Sequence, residues 1–352
     1  MIFAVYGASG VGKSELCKRL GIYEIRSHTT REKRSSENGS EYYFMKSKEE
    51  FDKVELIEKT EHVGNYYGIS VEEIERNKHK DCVVVANTEG IGQLKARYGN
   101  EVETVYIVAS PEQCLARMRS RGDSELSISK RIRNDYRNGE HNNYHLANHV
   151  IYNNDIDTAI KQFKNILKPN LYIDTDGVVF DSVRRFIDIY NYIHNTFYEY
   201  EKVQGWNFTP VLNITPNEVE KIFEDQVYYN DKSYIFKDCI EVINRLKEIF
   251  NINFLTIGRS YNIKNKMKMF REVFPDINAI GIAKQDVIMN KSVIKMGSRD
   301  WLIDDNIGNL ITSSAGNKVC FKSEGEKDWN KGWTGLEVKT WLELEEVINE
   351  SN

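Results

Sequence analysis

No apolar run in this 352-residue chain approaches the ~20 residues needed to span a bilayer, so no membrane-crossing helix is expected. Cysteine is sparse and scattered: Cys17, Cys82, Cys114, Cys239 and Cys320 form no CxxC pair and have no histidine at metal spacing. An odd, unclustered set excludes a disulfide framework and a zinc site, and reads as reduced thiols of a cytoplasmic protein. Internal repeats, low-complexity tracts and long linkers are missing too. The opening MIFAVYGASG runs straight into a strand and a glycine loop, so no signal peptide is expected. An excess of positive charge is also lacking. The 48 Lys and Arg against 53 Asp and Glu leave a net charge of −5, which argues against a broadly basic nucleic-acid surface. A locally basic stretch, from Arg117 to Arg133, remains.

What is present fits a soluble globular chain, with 40% hydrophobic and 29% charged residues. Its length suits two domains. In the first half, strands are predicted at Ile2–Tyr6, Val83–Ala86, Thr104–Val108 and Val150–Tyr152, with helices at Pro111–Ser120 and Ile156–Leu167. The second half repeats the style, with strands at Leu171–Ile173 and near Asn253–Thr256, Ala279–Ile282, Trp301–Ile303 and Lys318–Phe321. Alternating strands and helices predict an α/β fold with parallel sheets covered on both faces. Lys168-Pro169-Asn170 marks the junction, because proline stops the preceding helix. The expected domains are therefore 1–168 and 170–352.

Gly7-Ala8-Ser9-Gly10-Val11-Gly12-Lys13-Ser14 fits GxxxxGK[ST], directly after a strand and before a helix. Glycines at Gly7, Gly10 and Gly12 let successive backbone N–H groups, Ser9 included, turn in on phosphates, and the helix N-terminus adds its positive end. Lys13 would reach the β- and γ-phosphates and the Ser14 hydroxyl would ligate Mg²⁺. The pattern points to ATP and Mg²⁺ without naming the acceptor.

Ser27-His28-Thr29-Thr30-Arg31, then Arg34, Glu37, Gly39, Tyr42 and Phe44, read as a polar, arginine-bearing loop segment. Glu58 and Gly64-Asn65-Tyr66-Tyr67-Gly68 follow. This order resembles the nucleoside-monophosphate-binding region of guanylate kinases, and the resemblance runs through residues 1–168. It includes the lid start at Arg121-Gly122, the later Arg131, and Val150-Ile151-Tyr152-Asn153, where Asn153 is implied on the ATP side. The resemblance implies a P-loop NTPase domain in which Ser27, Arg31, Arg34, Tyr42 and Tyr67 cage the acceptor phosphate. Arginine can grip such a dianion bidentately. Arg121 and Arg131 would close on the transferring phosphoryl group. A solvated basic face with core tyrosines is the plainer alternative.

Three positions that read guanine in that family differ here. The glutamate stands as Glu58, the hydroxyl position is Ile69 (followed by Ser70), and the aspartate position is Asn87. An amide in place of a carboxylate turns an acceptor into a mixed donor and acceptor. Mismatched edges leave polar groups unpaired. Two changed positions of three argue against strict GMP specificity and make a deoxynucleotide or a modified base an alternative acceptor to GMP.

Asp174-Thr175-Asp176-Gly177-Val178-Val179 follows Leu171–Ile173 and resembles motif I of the haloacid-dehalogenase superfamily. Asp174 would attack phosphorus, and Asp176 would protonate the leaving oxygen and then activate water. Thr256 occupies the motif II position. Trp301-Leu302-Ile303-Asp304-Asp305 matches motif IV, which implies Mg²⁺ held by Asp174, the Asp176 carbonyl, Asp304 and Asp305. Lys284, Lys291 and Lys295 compete for the motif III lysine; Lys291 is favoured because its segment resembles that of 5′-nucleotidases. The stretch 182–235 is aromatic-rich and mainly helical, as expected of a small cap over a HAD-like Rossmannoid domain. With Gly205-Trp206-Asn207-Phe208 it looks like the 5′(3′)-deoxyribonucleotidase branch. Trp206 or Phe208 would stack on a base, or else form the cap's own core.

Together these readings predict a bifunctional enzyme acting on small-molecule nucleotides. The kinase half phosphorylates a (deoxy)nucleoside monophosphate, and the phosphatase half hydrolyses a (deoxy)nucleoside 5′-monophosphate. A polynucleotide kinase-phosphatase of nucleic-acid end repair is the alternative, disfavoured by the mononucleotide cage and the net acidity. A binding module that has lost catalysis is a third, against which Lys13, Ser14, Arg31 and Arg34 speak.

Overall fold

The computed structural model describes residues 1–33, 39, 42–62, 64–205, 207–283 and 290–351. The chain divides into two compact units, Met1–Leu167 and Lys168–Asn352, one residue from the junction predicted at Lys168-Pro169-Asn170.

The first unit is built on a five-stranded parallel sheet with Ile2–Tyr6 at its centre, between Cys82–Val85 and Val102–Val108. Tyr23–Glu24 and His149–Tyr152 form the edges. All five residues of Ile2–Tyr6 are buried. That is what a central parallel strand covered on both faces requires, and it explains the unbroken apolar run. Ser110 caps Pro111–Ser120 and Ser124 caps Glu125–Arg137, each accepting from the N3 amide. The predicted helices Pro111–Ser120 and Ile156–Leu167 are present at the same bounds.

A second sheet corrects the reading of the acceptor region as loop. Ser27–Thr29, Tyr42–Phe44, Asn65–Ser70 and Leu56–His62 form a four-stranded mixed sheet in the order Tyr42–Phe44, Ser27–Thr29, Asn65–Ser70, Leu56–His62. Its first two strands are three residues each, too short to show a period, and are paired by register rather than by local pattern.

The second unit is a six-stranded, all-parallel sheet. Its order is Asn278–Ala283, Asn251–Gly258, Asn170–Ile173, Trp301–Asp304, Asn317–Phe321, Leu336–Val338. The last strand was not expected, being largely exposed at the edge. Asn170–Ile173 pairs with Asn251–Gly258 on one side and Trp301–Asp304 on the other, so the order reverses there. Ligands bind at the carboxyl ends of strands at such a switch point, and Asp174 sits there.

Between the first two strands of this unit lie the helices Ser182–His194 and Pro216–Glu224, the latter held by a Thr215–Glu218 capping box. Phe186 stacks on Phe208 with ring centroids 4.0 Å apart, and Phe223 and Tyr228 extend the aromatic group. These rings belong to one apolar cluster with Leu171, Ile173 and Phe254 of the sheet. Phe208, 1% exposed, is therefore a core residue of the cap rather than a base-stacking one.

Candidate active sites

In the first unit the chain leaves Ile2–Tyr6 and makes a loop only glycine allows. Gly7, Gly10 and Gly12 have φ of 135°, 85° and 95°. A Cβ on Gly7 would lie 2.5 Å from the Ile107 carbonyl oxygen, and one on Gly10 would lie 2.7 Å from that of Cys114. Gly12 precedes the helix Lys13–Arg19 without side-chain capping, leaving its N-terminus to phosphate. The Lys13 ammonium donates to Gly7 O at 2.5 Å and Ala8 O at 3.0 Å, folded over the loop. Burial pulls its pKa below the usual lysine range, while Asp135 and then Glu140 push it back up. Ser14 is exposed at the helix start, open to a cation.

Two side chains hold the loop from outside. Asn153 Nδ2 donates to Val11 O at 2.8 Å, so this residue, expected on the ATP side, braces the loop itself. Arg117, which sequence reasoning did not single out, donates to Val11 O at 3.1 Å and to Asn153 O at 2.8 Å. A further contact was also missed: Asp135 accepts from Ser9 N at 2.7 Å and from Ser9 Oγ at 3.1 Å. Arg121 pairs with Asp123 at 2.6 Å, and Arg131 approaches the same carboxylate at 3.7 Å, so the two expected lid arginines converge on one acid.

On the small sheet, register places Ser27 opposite Tyr42 and Thr29 opposite Tyr67. The Arg31 guanidinium lies 5.3 Å from the Tyr42 ring centre and 5.6 Å from that of Phe44, and Tyr42 meets Tyr67 edge-on. Arg31, Tyr42 and Tyr67 thus lie together, with Ser27 paired in register to Tyr42, whereas Arg34 and Glu37 lie outside the described residues. Glu58 is buried, with its side chain where a Cβ on Gly90 would be. Desolvation, with help from Glu89, pushes its carboxyl up to about 7.

The other base-reading positions are committed to the fold. Ile69 is wholly buried in a cluster with Ile2, Ile74 and Ile91. The Ser70 hydroxyl caps the helix Val71–Asn77, so it does not replace the missing one. Asn87 is engaged at both ends: Oδ1 accepts from Gly90 N at 2.8 Å, and Nδ2 donates to Thr60 Oγ1 at 3.0 Å.

In the second unit Asp174, Asp304 and Asp305 offer carboxylate oxygens that all lie within 4.8 Å of one another. Lys291 Nζ, fully buried, donates to Asp174 and to Asp304 at 2.5 Å each, which sets it apart from the other described candidate. Lys295 is exposed, and Lys284 lies outside the described residues. Burial raises the Asp174 carboxyl to about 7, against Lys291 and with Asp304. Asp305 is pushed well above the carboxylate range by burial and by its two acid neighbours. Lys291 is held above its usual value because these acids outweigh its desolvation. One lysine does not balance three buried acids. A hard divalent cation suits such an all-oxygen set and would supply the missing charge. Gly177, at φ 76°, leaves room for this cluster, since a Cβ there would lie 2.7 Å from Asp305 Cγ.

Asp176 stands apart. Its Oδ1 accepts from Ser182 Oγ at 2.5 Å and Tyr229 OH at 2.9 Å, and its Oδ2 pairs with Lys266. Lys266 also donates to Thr256 Oγ1 at 2.9 Å, joining motifs I and II. Sequence reasoning missed this fully buried lysine, although Asn262, Met269 and Phe270 share its buried helix face. Trp206 lies outside the described residues.

Comparison with known proteins agrees with this division. The guanylate kinase family profile matches residues 2–170. The profile described as 5′ nucleotidase, deoxy (pyrimidine), cytosolic type C protein matches residues 168–351, just over half of the chain. The guanylate kinase of Escherichia coli strain K12 is 31% identical over 181 residues, covering 47% of this chain and 86% of that protein. The guanylate kinase structure from Anaplasma phagocytophilum is 26% identical with a TM-score of 0.36, covering 47% of this chain and 83% of its own. The magnesium-bound HAD-hydrolase YfnB from Bacillus subtilis is 13% identical with a TM-score of 0.35, covering 52% and 99%. No helix among the described residues is long and apolar enough to cross a membrane. The chain belongs to the cytosolic type C deoxy-5′-nucleotidase family through its second unit, and that unit is preceded by a guanylate kinase domain.

Proposed function

We propose that the first unit transfers the γ-phosphoryl group of ATP to a (deoxy)nucleoside monophosphate, and that the second hydrolyses a different (deoxy)nucleoside 5′-monophosphate. One observation carries the reading: the same chain holds a phosphate loop braced at Val11 and a buried acid trio two of whose members Lys291 grips.

In the kinase unit Lys13 and the glycine-loop amides hold the polyphosphate, except that of Ser9, which was expected on the phosphates but donates to Asp135 instead. Ser27, Arg31, Tyr42 and Tyr67, with Arg34, hold the acceptor phosphate so that its oxygen faces the γ-phosphorus. Arg121 and Arg131 spread over the charge that develops during transfer. Mg²⁺ at Ser14 supplies further charge neutralisation when bound. The acceptor base meets Glu58, whose carboxyl near neutrality either accepts from a base N–H or donates to a base carbonyl. With Ile69 in the core and Asn87 engaged in the fold, guanine keeps one of its three family contacts.

In the nucleotidase unit Asp174 attacks the phosphorus of the monophosphate and the nucleoside leaves, giving an aspartyl phosphate. Asp176 donates a proton to the departing 5′ oxygen and then takes one from the water that hydrolyses the intermediate. Thr256 and Lys291 hold the phosphoryl oxygens. Mg²⁺ among Asp174, Asp304 and Asp305 would supply the charge that lets an anionic nucleophile approach an anionic phosphate.

Opposed activities on one substrate would only consume ATP. The family description of the second unit names pyrimidine deoxynucleotides, whereas the first unit keeps a purine-kinase scaffold. The reading is therefore that one nucleotide is promoted while another is removed from the pool. The test is a panel of ribo-, deoxy- and modified monophosphates, run on the whole chain, on Lys13→Ala and on Asp174→Asn. Distinct preference profiles, each abolished by its own variant, are expected. Identical profiles, or phosphorylation of a 5′-hydroxyl oligonucleotide, would overturn the reading.

A further inference from the structure

The helix Glu125–Arg137 carries Arg131 and, four residues on, Asp135; residues at that spacing share one helix face. Arg131 is an expected phosphoryl-facing residue. Asp135, 8% exposed, holds Ser9 at both its amide (2.7 Å) and its hydroxyl (3.1 Å). Charge-assisted bonds of this kind, shielded from water, are the strong ones. Lys13 holds Gly7 and Ala8 on one side of Ser9, and Gly10 packs against Cys114 on the other, so the Asp135 carboxylate is what ties Ser9 to this helix. The braces from Arg117 and Asn153 reach Val11 instead, and neither residue lies on the arginine-bearing helix.

Apolar packing does not take over this task. A cavity of about 400 Å³ lies beside Ser9 and Asp135, walled also by Ile107, Leu115, Met118 and Ile132. Beside this cavity fewer apolar side chains interdigitate between helix and loop, and the Ser9–Asp135 bonds bridge them directly.

We propose that Asp135 is a positioning residue: its double grip on Ser9 sets the register in which the helix presents Arg131 to the phosphoryl group held by the glycine loop. This rests on the kinase reading of the first unit.

The experiment uses the full chain, follows ADP formation at saturating monophosphate, and measures binding of a non-hydrolysable ATP analogue by calorimetry. Asp135→Ala removes both contacts. Its kcat is expected to fall roughly 10²-fold, as misplacement of about 1 Å does, while analogue affinity changes by less than about 3-fold. Asp135→Asn keeps an acceptor for the Ser9 amide and a group for the hydroxyl, and is expected to recover kcat to within about 5-fold of the parent chain. In an Arg131→Met background, adding Asp135→Ala should cost less than about 3-fold, because the two residues act as one unit. Three results would overturn the proposal: kcat unchanged in Asp135→Ala, analogue binding lost in parallel with kcat, or full additivity with Arg131→Met. A parent chain that makes no ADP with any monophosphate, while still hydrolysing one, would instead refute the kinase reading.

Discussion

Lys266 and Asp176 form an ion pair whose ammonium is fully buried while the carboxylate keeps contact with solvent. The same ammonium reaches Thr256, so one cation fixes the acid of motif I and the hydroxyl of motif II together. Lys266→Met should lower nucleotide hydrolysis roughly 10²-fold or more, since both proton transfer and phosphoryl binding lose their alignment. ADP formation by the first unit should be unchanged in the same variant, which separates a local loss of alignment from a loss of fold.

Lys291 serves the other pair of acids, and its loss should show in stability as well as in rate. Lys291→Met leaves Asp174, Asp304 and Asp305 buried with no cation, and breaking such a cluster from one side costs about 3–5 kcal/mol. The sign of the pH effect follows from Asp174, whose folded pKa of about 7 already lies above the ordinary 3.8 with Lys291 pulling it down, and rises further without that lysine. A raised carboxyl disfavours folding increasingly as pH rises between those values. With a chelator present, the variant should thus unfold most readily above pH 7 and recover as pH falls. Urea unfolding at a series of pH values checks this.

Gly177 offers a purely geometric test. Its φ of 76° and the Asp305 carboxylate in the space of a Cβ mean that Gly177→Ala must displace Asp305 or the motif I loop. Hydrolysis should fall by about 10²-fold, and Mg²⁺ affinity, read by the Mg²⁺-dependence of thermal unfolding, should weaken with it. Normal hydrolysis in this variant would mean that Asp305 does not take part.

The parts of this fold that were legible in the sequence are those where one short run decides the outcome. Ile2–Tyr6 and Leu171–Ile173 are apolar throughout because central parallel strands are buried on both sides, and each ends in a motif. The motif residues Lys13, Asp174, Asp304 and Asp305 lie where those strands and loops put them. What stayed hidden depends on pairing at a distance. Ser27–Thr29 is a strand because Asn65–Ser70 binds it, and nothing within three residues reveals that. Lys266 sits between Lys264 and Lys268 in sequence, and only the packing of its helix separates a buried active-site cation from surface charge. Arg117 looked like one more charge in the basic stretch it opens, and Asp135 lies just past that stretch; their meaning lies in contacts 106 and 126 residues away.

Glu58 should give the kinase unit a pH dependence that reports on the base. With its carboxyl at about 7, the group is largely protonated at pH 6 and largely ionised at pH 8. A base that donates N–H groups, such as guanine, needs the ionised form, so its kcat/KM should rise across that interval. A base presenting a carbonyl there should show the opposite slope. Glu58→Gln should flatten either profile. A profile unaltered by Glu58→Gln for every accepted monophosphate would remove Glu58 from base recognition.

Asn87→Asp separates what this residue does for the fold from what it does for the substrate. As helix cap, aspartate is as good as asparagine, and the Gly90 amide keeps its acceptor. The Thr60 hydroxyl, which now accepts from Nδ2, can rotate and donate to the new carboxylate. Stability should therefore stay within about 0.5 kcal/mol of the parent, whereas Asn87→Ala should lose about 1 kcal/mol with the cap. The substitution also puts an acceptor-only group where the kinase family reads guanine N–H. Preference for GMP or dGMP over other monophosphates, as a ratio of kcat/KM, should rise by about 10-fold or more. Ile69→Ser, suggested by the same family comparison, is a different case: Ile69 is wholly buried, and the change should cost several kcal/mol, on the order of 2–5, through the cavity it leaves. A gain in guanine preference from Asn87→Asp alone would place the rewritten specificity at the Asn87–Thr60 contact; no change in the ratio would mean that the amide is there for the helix.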